Sequence, residues 1–330
     1  MPYRSTLVPR RLPASLDRVV AAFLANLRPA RQGQSRGVHD ARVASRRLRE
    51  FLRAVSIGPA HDVRYVRRAI RRMAHALGQV REIDVSLELI ASHPVAAGWS
   101  STMRARIQRE CVRERGHRQD EMTRRLAKVQ VDSLAPKIRA IARAFARADR
   151  SAEAGIAARR RVRARTLREA LDRAGTVYAP ALLHAVRIAA KKLRYNLEWS
   201  RGVAGPALAI QLRELKAAQQ LLGDIQDLHI LEGALRRIAA QPALDRSTVR
   251  AIQAGAVRIE AACRERHAHV VKLIPRLAAL ADDLSRKTPL EWIRRRPARM
   301  SGPRSKAQGP TATPRPMPAV RPSRTAARPA

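Results

Sequence analysis

Aromatic residues are scarce in this sequence, which has three Phe, four Tyr and three Trp among 330 residues. Proteins that hold single-stranded nucleic acids stack the bases on aromatic side chains, and this chain offers few such platforms. Its two cysteines, Cys111 and Cys263, lie far apart and match neither a metal-site spacing nor a redox motif. We therefore expect reduced thiols, and a ligand that is recognised by charge rather than by stacking.

Long apolar runs are also missing. No segment approaches the ~18 consecutive apolar residues of a membrane span, and the N-terminal residues lack the apolar core of a signal peptide. The sequence thus predicts a cytoplasmic protein without membrane insertion.

Acidic residues are few relative to basic ones. The chain has 67 Lys and Arg against 27 Asp and Glu, which gives a formal net charge of +40. An excess of this size predicts a polyanionic partner. Lysine is itself rare, with 8 Lys against 59 Arg. Arginine binds phosphate oxygens in a planar, bidentate geometry, but an arginine-biased coding composition explains the ratio equally well.

What the sequence has in abundance is helical periodicity. Hydrophobic residues make up 45% of the chain, and they recur at helical spacing through residues 14 to 287, without the alternation of strands. The pattern predicts an all-α fold. Breaks between helices are expected at Gly58-Pro59, Pro94, Pro136, Gly155, Gly175, Pro180, Gly205-Pro206, Pro242 and Pro289. The predicted helices lie near 14–29, 38–56, 61–91, 99–130, 134–150, 156–174, 181–202, 206–240, 245–274 and 276–286.

The most informative feature is an internal repeat. Val38–Arg49 aligns with Leu183–Arg194 at an offset of 145 residues, and Leu77–Ile83 aligns with Leu222–Leu228 at the same offset. Two motifs at one offset predict duplication of a helical unit. We expect an N-terminal tail at 1–13, a first helical repeat at 14–150, a second at 151–290, and a disordered tail rich in Pro, Arg and Ala at 291–330.

In the first motif, basic side chains recur on one face of the predicted helix and apolar ones on the other. At ~100° per residue, the basic positions fall within an arc of about 80°. Like charges this close repel one another on an isolated helix, and a polyanion lying along them relieves the repulsion. The motif therefore predicts an anion-binding face, with a solvated charged face as the alternative. The positions are His39, Arg42, Arg46 and Arg49 in the first copy, and His184, Arg187, Lys191 and Arg194 in the second.

The histidine that begins each stripe is open to three interpretations. We favour a hydrogen-bond donor to phosphate, because a bound polyanion stabilises the protonated ring. A structural histidine at a helix start is the second interpretation. A metal ligand is the third, and it is disfavoured by the cationic residues three and seven positions after each histidine.

The helix after each motif repeats the basic pattern and ends in a Leu-Gly segment with acidic residues. Cationic residues occupy the middle positions in both copies, at Arg68, Arg71, Arg213 and Lys216. The acids are expected to pair with arginines of neighbouring helices, and they are Glu82, Asp84, Asp224 and Asp227. Gly78 and Gly223 occupy equivalent places, which suggests close helix contact or a local kink.

Catalytic constellations are not evident. The sequence has no Gly-rich phosphate loop before a helix, no metal-ligand cluster and no nucleophile elbow. We expect no enzyme activity, no cofactor and no metal.

The two motif segments closely resemble the signature helices of the CHAD family, the conserved histidine α-helical domain, and the resemblance extends over about residues 14 to 287. It implies two helical bundles of four-helix type, related by a pseudo-twofold axis, whose basic residues face a shared cavity. One departure is His229, which stands where the first copy has Asp84. A CYTH triphosphatase, to which many relatives are fused, has no counterpart here, so the resemblance implies a stand-alone binding module.

Family members bind inorganic polyphosphate and can localise to polyphosphate granules, so the resemblance implies the same ligand here. Two alternatives are nonspecific binding of DNA or RNA, and a granule scaffold that recruits other proteins. Carried over by matched position, the implied phosphate contacts are His39, Arg42, Arg46, Arg49, Arg68, Arg71, His184, Arg187, Lys191, Arg194, Arg213 and Lys216.

Overall fold

The computed structural model describes residues 11–54, 60–96, 98–147, 150–199, 206–241 and 244–286. Within these ranges the chain forms α-helices, one short 3-10 helix at Pro94–Ala96, and no strand. The prediction of an all-α fold is confirmed. The helices are α1 (Arg11–Arg31), α2 (Ser35–Ala54), α3 (Ala60–Ser92), α4 (Ser101–Ala127), α5 (Val131–Arg147), α6 (Arg150–Ala174), α7 (Pro180–Trp199), α8 (Pro206–Ala239) and α9 (Arg246–Arg286).

Side chains and glycines set several of the helix ends. The Ser100 hydroxyl accepts a hydrogen bond from the backbone N–H of Met103 at the start of α4, at 3.2 Å. Asp245 does the same before α9, where its Oδ1 lies 2.8 Å from the backbone N of Thr248. These contacts satisfy N–H groups that have no partner inside the helix. Gly175 follows α6 with φ of 53°, a left-handed conformation that ends a helix at little cost for glycine.

The predicted break at Pro275 is wrong, because α9 runs through this residue without interruption. A proline inside a helix costs ~3 kcal/mol. Leu277, Leu280 and Leu284 lie beyond it and are all buried in the same core as Val270, which lies before it. Burial of each such side chain contributes roughly 1.5–3 kcal/mol, so continuing the helix outweighs the cost of the proline.

The break at Gly155 is also misplaced, since α6 begins at Arg150. Pro136 lies inside α5 rather than between helices. The predicted breaks at Gly58-Pro59, Gly205 and Pro289 fall outside the described residues, as do residues 1–10 and the predicted tail at 291–330. The repeat boundaries stay a prediction, as does the duplication itself.

The described residues form two hydrophobic cores, and α3, α4 and α6 contribute buried side chains to both. One core is built around Phe23, Phe51 and Phe145 from α1, α2 and α5, and the other is formed mainly by α6 to α9. α3 places Ile70 in the first core and Ile90 in the second, and α4 likewise contributes Leu126 to the first and Ile107 to the second. The two cores are therefore joined by continuous helices.

A buried ion pair adds a further connection, between α2 and α6. The Arg163 guanidinium donates two hydrogen bonds to the Glu50 carboxylate, from Nε at 2.6 Å and from Nη2 at 2.9 Å. Glu50 is only 2% exposed, and Arg159 and Arg53 also lie within 4.0 Å of it. Such a pair fixes the relative position of the two helices, because either charge alone is costly to bury. In addition, α2 packs against α7, and α3 packs against α8.

Candidate anion-binding site

A cavity of about 570 Å³ lies where α2 and α3 face α7 and α8, and we call it the central cavity. Seven lysine and arginine side chains and two histidines line it, against three carboxylates. The basic set comes from all four helices, so the two motif stripes share one space. These residues are His39, Arg42, Arg46, Arg81, His184, Arg187, Lys191, Arg194 and Lys216, with Glu82, Asp224 and Asp227 as the acids.

Several arginine side chains of the central cavity have a buried Nε atom without a hydrogen-bond partner in the described part of the chain. In the described part of the chain, nothing accepts a hydrogen bond from the buried Nε atoms of Arg42, Arg187 and Arg194. Burial lowers the pKa of Arg42 to about 9, and the charge of Arg46 adds to the effect. A buried donor without an acceptor costs ~1–3 kcal/mol. The free protein therefore holds donors in place that an anion would satisfy.

Lys191 shows the same effect more strongly. Burial lowers its pKa to about 6, and the charges of Arg187 and Arg46 contribute to this shift. The amine is consequently largely neutral at pH 7 in the free protein. A bound anion would favour its protonated form.

The predicted pairing of acids with arginines holds for some of them. Asp84 is 4% exposed and accepts a hydrogen bond from Arg115 of α4 at 2.6 Å. Asp227 lies 3.9 Å from Arg187, and burial raises its pKa. Asp224 instead accepts a hydrogen bond from Gln220 on its own helix, at 3.1 Å. Arg187 is therefore only loosely neutralised.

Other cavity arginines have stronger internal partners. Arg194 donates to Glu198, four residues later, at 2.7 Å, and Arg81 forms two hydrogen bonds with Glu88, at 2.6 and 3.0 Å. Glu198 also lies 3.3 Å from Arg47 of α2. These arginines line the cavity, but a bound anion would have to compete with a carboxylate for them.

The two motif histidines are exposed and differ in their contacts. Partial burial lowers the pKa of His39, and the nearby charge of Arg81 lowers it further. The Nδ1 atom of His184 donates a hydrogen bond to the side-chain oxygen of Gln226, which fixes its tautomer. No group of three His, Cys, Asp or Glu side chains in the described ranges could hold a metal ion. At the position matching Asp84, His229 is hydrogen-bonded to the Tyr178 hydroxyl at 2.8 Å.

The expected close helix contact at Gly78 and Gly223 is wrong. A Cβ atom added at Gly78 would lie 3.7 Å from Arg42 Nε, an ordinary contact, and one at Gly223 would meet nothing within 4 Å among the described residues. Each glycine lines a cavity instead. The absence of a side chain there leaves space beside the helix backbone.

A second cavity, of about 860 Å³, adjoins the central one, and we call it the α3–α4 cavity. Arg49 and Arg71 lie here and not in the central cavity, whereas Arg42, Arg46 and Glu82 line both. The structure thus brings ten of the twelve sequence-predicted residues to the two cavities. Arg68 and Arg213 are exposed and line neither of these two.

Sequence reasoning missed several lining residues. Arg72 and Arg81 lie on α3 and line these cavities. Neither is among the cationic positions that recur in both copies of the repeat. Arg125 and Lys128 come from the end of α4 and the residue after it, where acidic and basic residues mix without a stripe. Their place at the cavity depends on the packing of α4 against α3, which no spacing within α4 indicates.

The fold and the site together define an all-helical protein with a basic cavity between its two motif helices. Residues 14–236 match the model of the CHAD domain, and the chain therefore belongs to the CHAD family. Membership in this family fits a role connected with polyphosphate. The resemblance of the two motif segments to the signature helices of the CHAD family is confirmed. No described helix combines the length and apolarity needed to cross a bilayer.

Two solved structures share the fold. The crystal structure of the CHAD domain from the plant Ricinus communis is similar with a TM-score of 0.65 and 22% identity, over 83% of this chain and 92% of that one. PptA from Streptomyces chartreusis is similar with a TM-score of 0.56 and 18% identity, over 84% of this chain and 100% of that one. Among curated proteins, none matches the sequence.

Proposed function

We propose that this protein binds inorganic polyphosphate in the central cavity, without catalysing a reaction on it, and that this binding places the protein at polyphosphate granules in the cytoplasm. One observation carries the proposal: basic residues of both motif helices converge on one cavity, where the Nε atoms of Arg42 and Arg187 are buried without acceptors in the described part of the chain. Linear polyphosphate supplies acceptor oxygens and negative charge at every unit. Family membership supports the same ligand.

The depth of the basic residues favours a thin polyanion over duplex nucleic acid. Arg187 is only 9% exposed, and Lys191 is half-buried beside it. A duplex offers its phosphates along the outside of a broad, stiff rod, and nonspecific binding to it uses surface charge. The central cavity offers little surface on which nucleic-acid bases could stack. Among its described lining residues, Tyr195 is the one Phe, Tyr or Trp, and its side chain is buried.

The decisive experiment is competitive binding at about 150 mM salt, where surface charges are screened beyond ~8 Å. Long-chain polyphosphate competes with duplex DNA and with RNA for the full chain, for the double variant Arg46→Gln/Lys191→Gln, and for a control with Lys272→Gln and Arg276→Gln. The control residues lie exposed on α9, away from both cavities, and remove the same number of basic side chains.

We expect polyphosphate to displace nucleic acid from the wild-type protein, and the cavity variant to lose polyphosphate affinity by about 100-fold, since hydrogen bonds to charged groups contribute roughly 1.5–3 kcal/mol each. The control should retain the wild-type preference. If nucleic acid competes equally, or if both variants weaken all ligands alike, the central cavity is not the specific site.

A further inference from the structure

Lys191 lies among arginines of two helices. It lines the central cavity together with Arg187 of its own helix and with Arg42 and Arg46 of α2. Burial and the charges of these arginines disfavour the ammonium form, and Asp227 of α8 opposes them. Positive surroundings that disfavour a cation at this nitrogen favour an anion at the same place.

A neutral amine is a nucleophile at a pH where other lysines are charged. With a pKa of about 6, most Lys191 side chains carry a free lone pair at pH 7. An ordinary lysine, whose pKa is ~10.4, is neutral in only about one molecule in 2,500 at that pH. The Lys191 side chain is half-buried and lines the cavity, so a small electrophile can reach the amine.

The central cavity also holds donors that a small carboxylate on this nitrogen would satisfy. In the described part of the chain, the Nε atoms of Arg42 and Arg187 are buried without a hydrogen-bond acceptor. Gln219 of α8 is 8% exposed and lines the same cavity, and its buried Nε2 likewise has no partner among the described residues. A carboxylate accepts several hydrogen bonds, and those from guanidinium groups are strong. The cavity therefore has the charge and the donors to stabilise a carbamate, a group that is labile in water.

We propose that Lys191 is a site of reversible carbamylation by carbon dioxide, and that the carbamate excludes polyphosphate from the central cavity. The amine nitrogen attacks the carbon of CO₂, one C–O π pair moves onto oxygen, and an N–H proton leaves to solvent: R–NH₂ + CO₂ → R–NH–COO⁻ + H⁺. No group is oxidised or reduced. The product brings to Arg42 and Arg187 the negative charge that a phosphate oxygen would otherwise supply. The exclusion of polyphosphate rests on the proposed function, whereas formation of the carbamate does not.

The first measurement is ¹³C nuclear magnetic resonance of the full-length protein in ¹³C-labelled bicarbonate, which supplies CO₂. The matched variant Lys191→Arg keeps a basic side chain but has no amine that can form a carbamate. Lys272→Arg is the control, at an exposed lysine of α9 outside both cavities. We expect a side-chain carbamate resonance in the wild type and in Lys272→Arg, and its loss in Lys191→Arg. The N-terminal amine, with a pKa of ~7.7–8.0, contributes equally to all three proteins.

Chemical trapping locates the group without relying on the folding of a variant. A trialkyloxonium salt converts the carbamate of the wild-type protein into a stable ester, and peptide mass spectrometry then identifies the modified lysine. We expect the ester at Lys191 and not at Lys272.

The second measurement is a titration with long-chain polyphosphate in bicarbonate, with chloride at equal ionic strength as the reference. If the carbamate and polyphosphate exclude each other, the apparent affinity falls in proportion to the fraction of protein that is free of carbamate. A protein that is about half carbamylated should bind about twofold more weakly, and one that is about nine-tenths carbamylated about tenfold more weakly. Saturating polyphosphate should in turn remove the Lys191 resonance, and Lys191→Arg should bind equally in both salts.

The outcomes separate this inference from the proposed function. A resonance that Lys191→Arg retains, or a trapped ester no more abundant at Lys191 than at Lys272, overturns the modification. A Lys191 carbamate that leaves polyphosphate affinity unchanged overturns the exclusion. If the carbamate forms but the wild type shows no preference for polyphosphate over nucleic acid, the proposed function fails and the modification stands. If polyphosphate is preferred and no Lys191 carbamate is detected, only this inference fails.

Discussion

Lys191 is the residue whose charge depends most on what occupies the central cavity. Burial lowers its pKa most, the charges of Arg187, Arg46 and Arg42 lower it further, and Asp227 of α8 opposes them. With a pKa of about 6 in the free protein, the amine takes up a proton when an anion binds above that pH. Binding and protonation are therefore linked.

The sign of the pH dependence follows from this linkage. Below pH 6 the amine is already charged and binding needs no proton, whereas above it each unit of pH weakens binding by up to about tenfold from this group. We expect polyphosphate affinity to fall between pH 6 and pH 8, and Lys191→Met to flatten that part of the profile. Calorimetric titration in buffers of different ionisation enthalpy measures the proton uptake directly.

Burial also lowers the pKa of His39 in the free protein, so a bound anion would favour proton uptake by this ring as well. His39→Gln therefore serves as the comparison, and it should leave most of the slope in place. A profile that Lys191→Met does not alter would show that this amine stays charged in the free protein.

Among the elements, α2 depends on a charge buried between it and α6. Glu50→Gln keeps the shape of the side chain but leaves Arg163, whose side chain is 9% exposed, without its counter-charge. Removing one member of a buried pair costs ~3–5 kcal/mol. We expect a corresponding loss in the free energy of unfolding, measured by urea denaturation.

Asp172→Asn is the matched control for Glu50→Gln. It removes one carboxylate from an exposed pair with Arg168 on α6, and exposed pairs contribute ~0–1 kcal/mol. Equal effects of the two substitutions would contradict the structural role assigned to Glu50.

Periodicity identified most of the helices because each one buries a continuous apolar face. α7 illustrates this, with Leu183, Val186 and Leu193 in the core and the predicted basic stripe on the side of the cavity. Predictions from single residues were wrong where burial of neighbouring side chains determined whether the helix continued. Pro275 indicates a break by itself, yet the buried leucines on its C-terminal side keep α9 continuous.

In the candidate site, too, spacing predicts some residues correctly, whereas contacts between helices determine the others. The stripes on α2 and α7 are readable from spacing, since both faces of a helix are fixed by its period. Spacing says nothing about what faces a glycine, so the sequence predicts a close helix contact or a local kink at Gly78, whereas this glycine lines a cavity. Arg125 and Lys128 belong to a helix whose register against α3 is set by tertiary contacts, and no local pattern marks them.

Over the whole molecule, a net charge of +40 works against the compact state, because like charges repel. A polyanion that binds only the folded protein should therefore raise its stability, by ~2.7 kcal/mol at 100 times the dissociation constant. We expect long-chain polyphosphate to raise Tm by about 5 °C or more.

Sodium chloride at equal ionic strength is the reference for this thermal experiment, and it should give a smaller shift. The variant Arg46→Gln/Lys191→Gln should lose most of the gain from polyphosphate. A gain that the variant retains in full would place the stabilising contact elsewhere on the surface.

α3 and α4 each contribute to both hydrophobic cores, and this continuity bears on how the cavity works. Opening the cavity by separating the two halves would require these helices to break and both cores to be exposed. The central cavity therefore has a fixed width, and under the proposed function the flexible polymer would adapt to the protein. The free energy of folding already offsets the repulsion between the basic side chains. Binding would therefore require little further reorganisation of the protein.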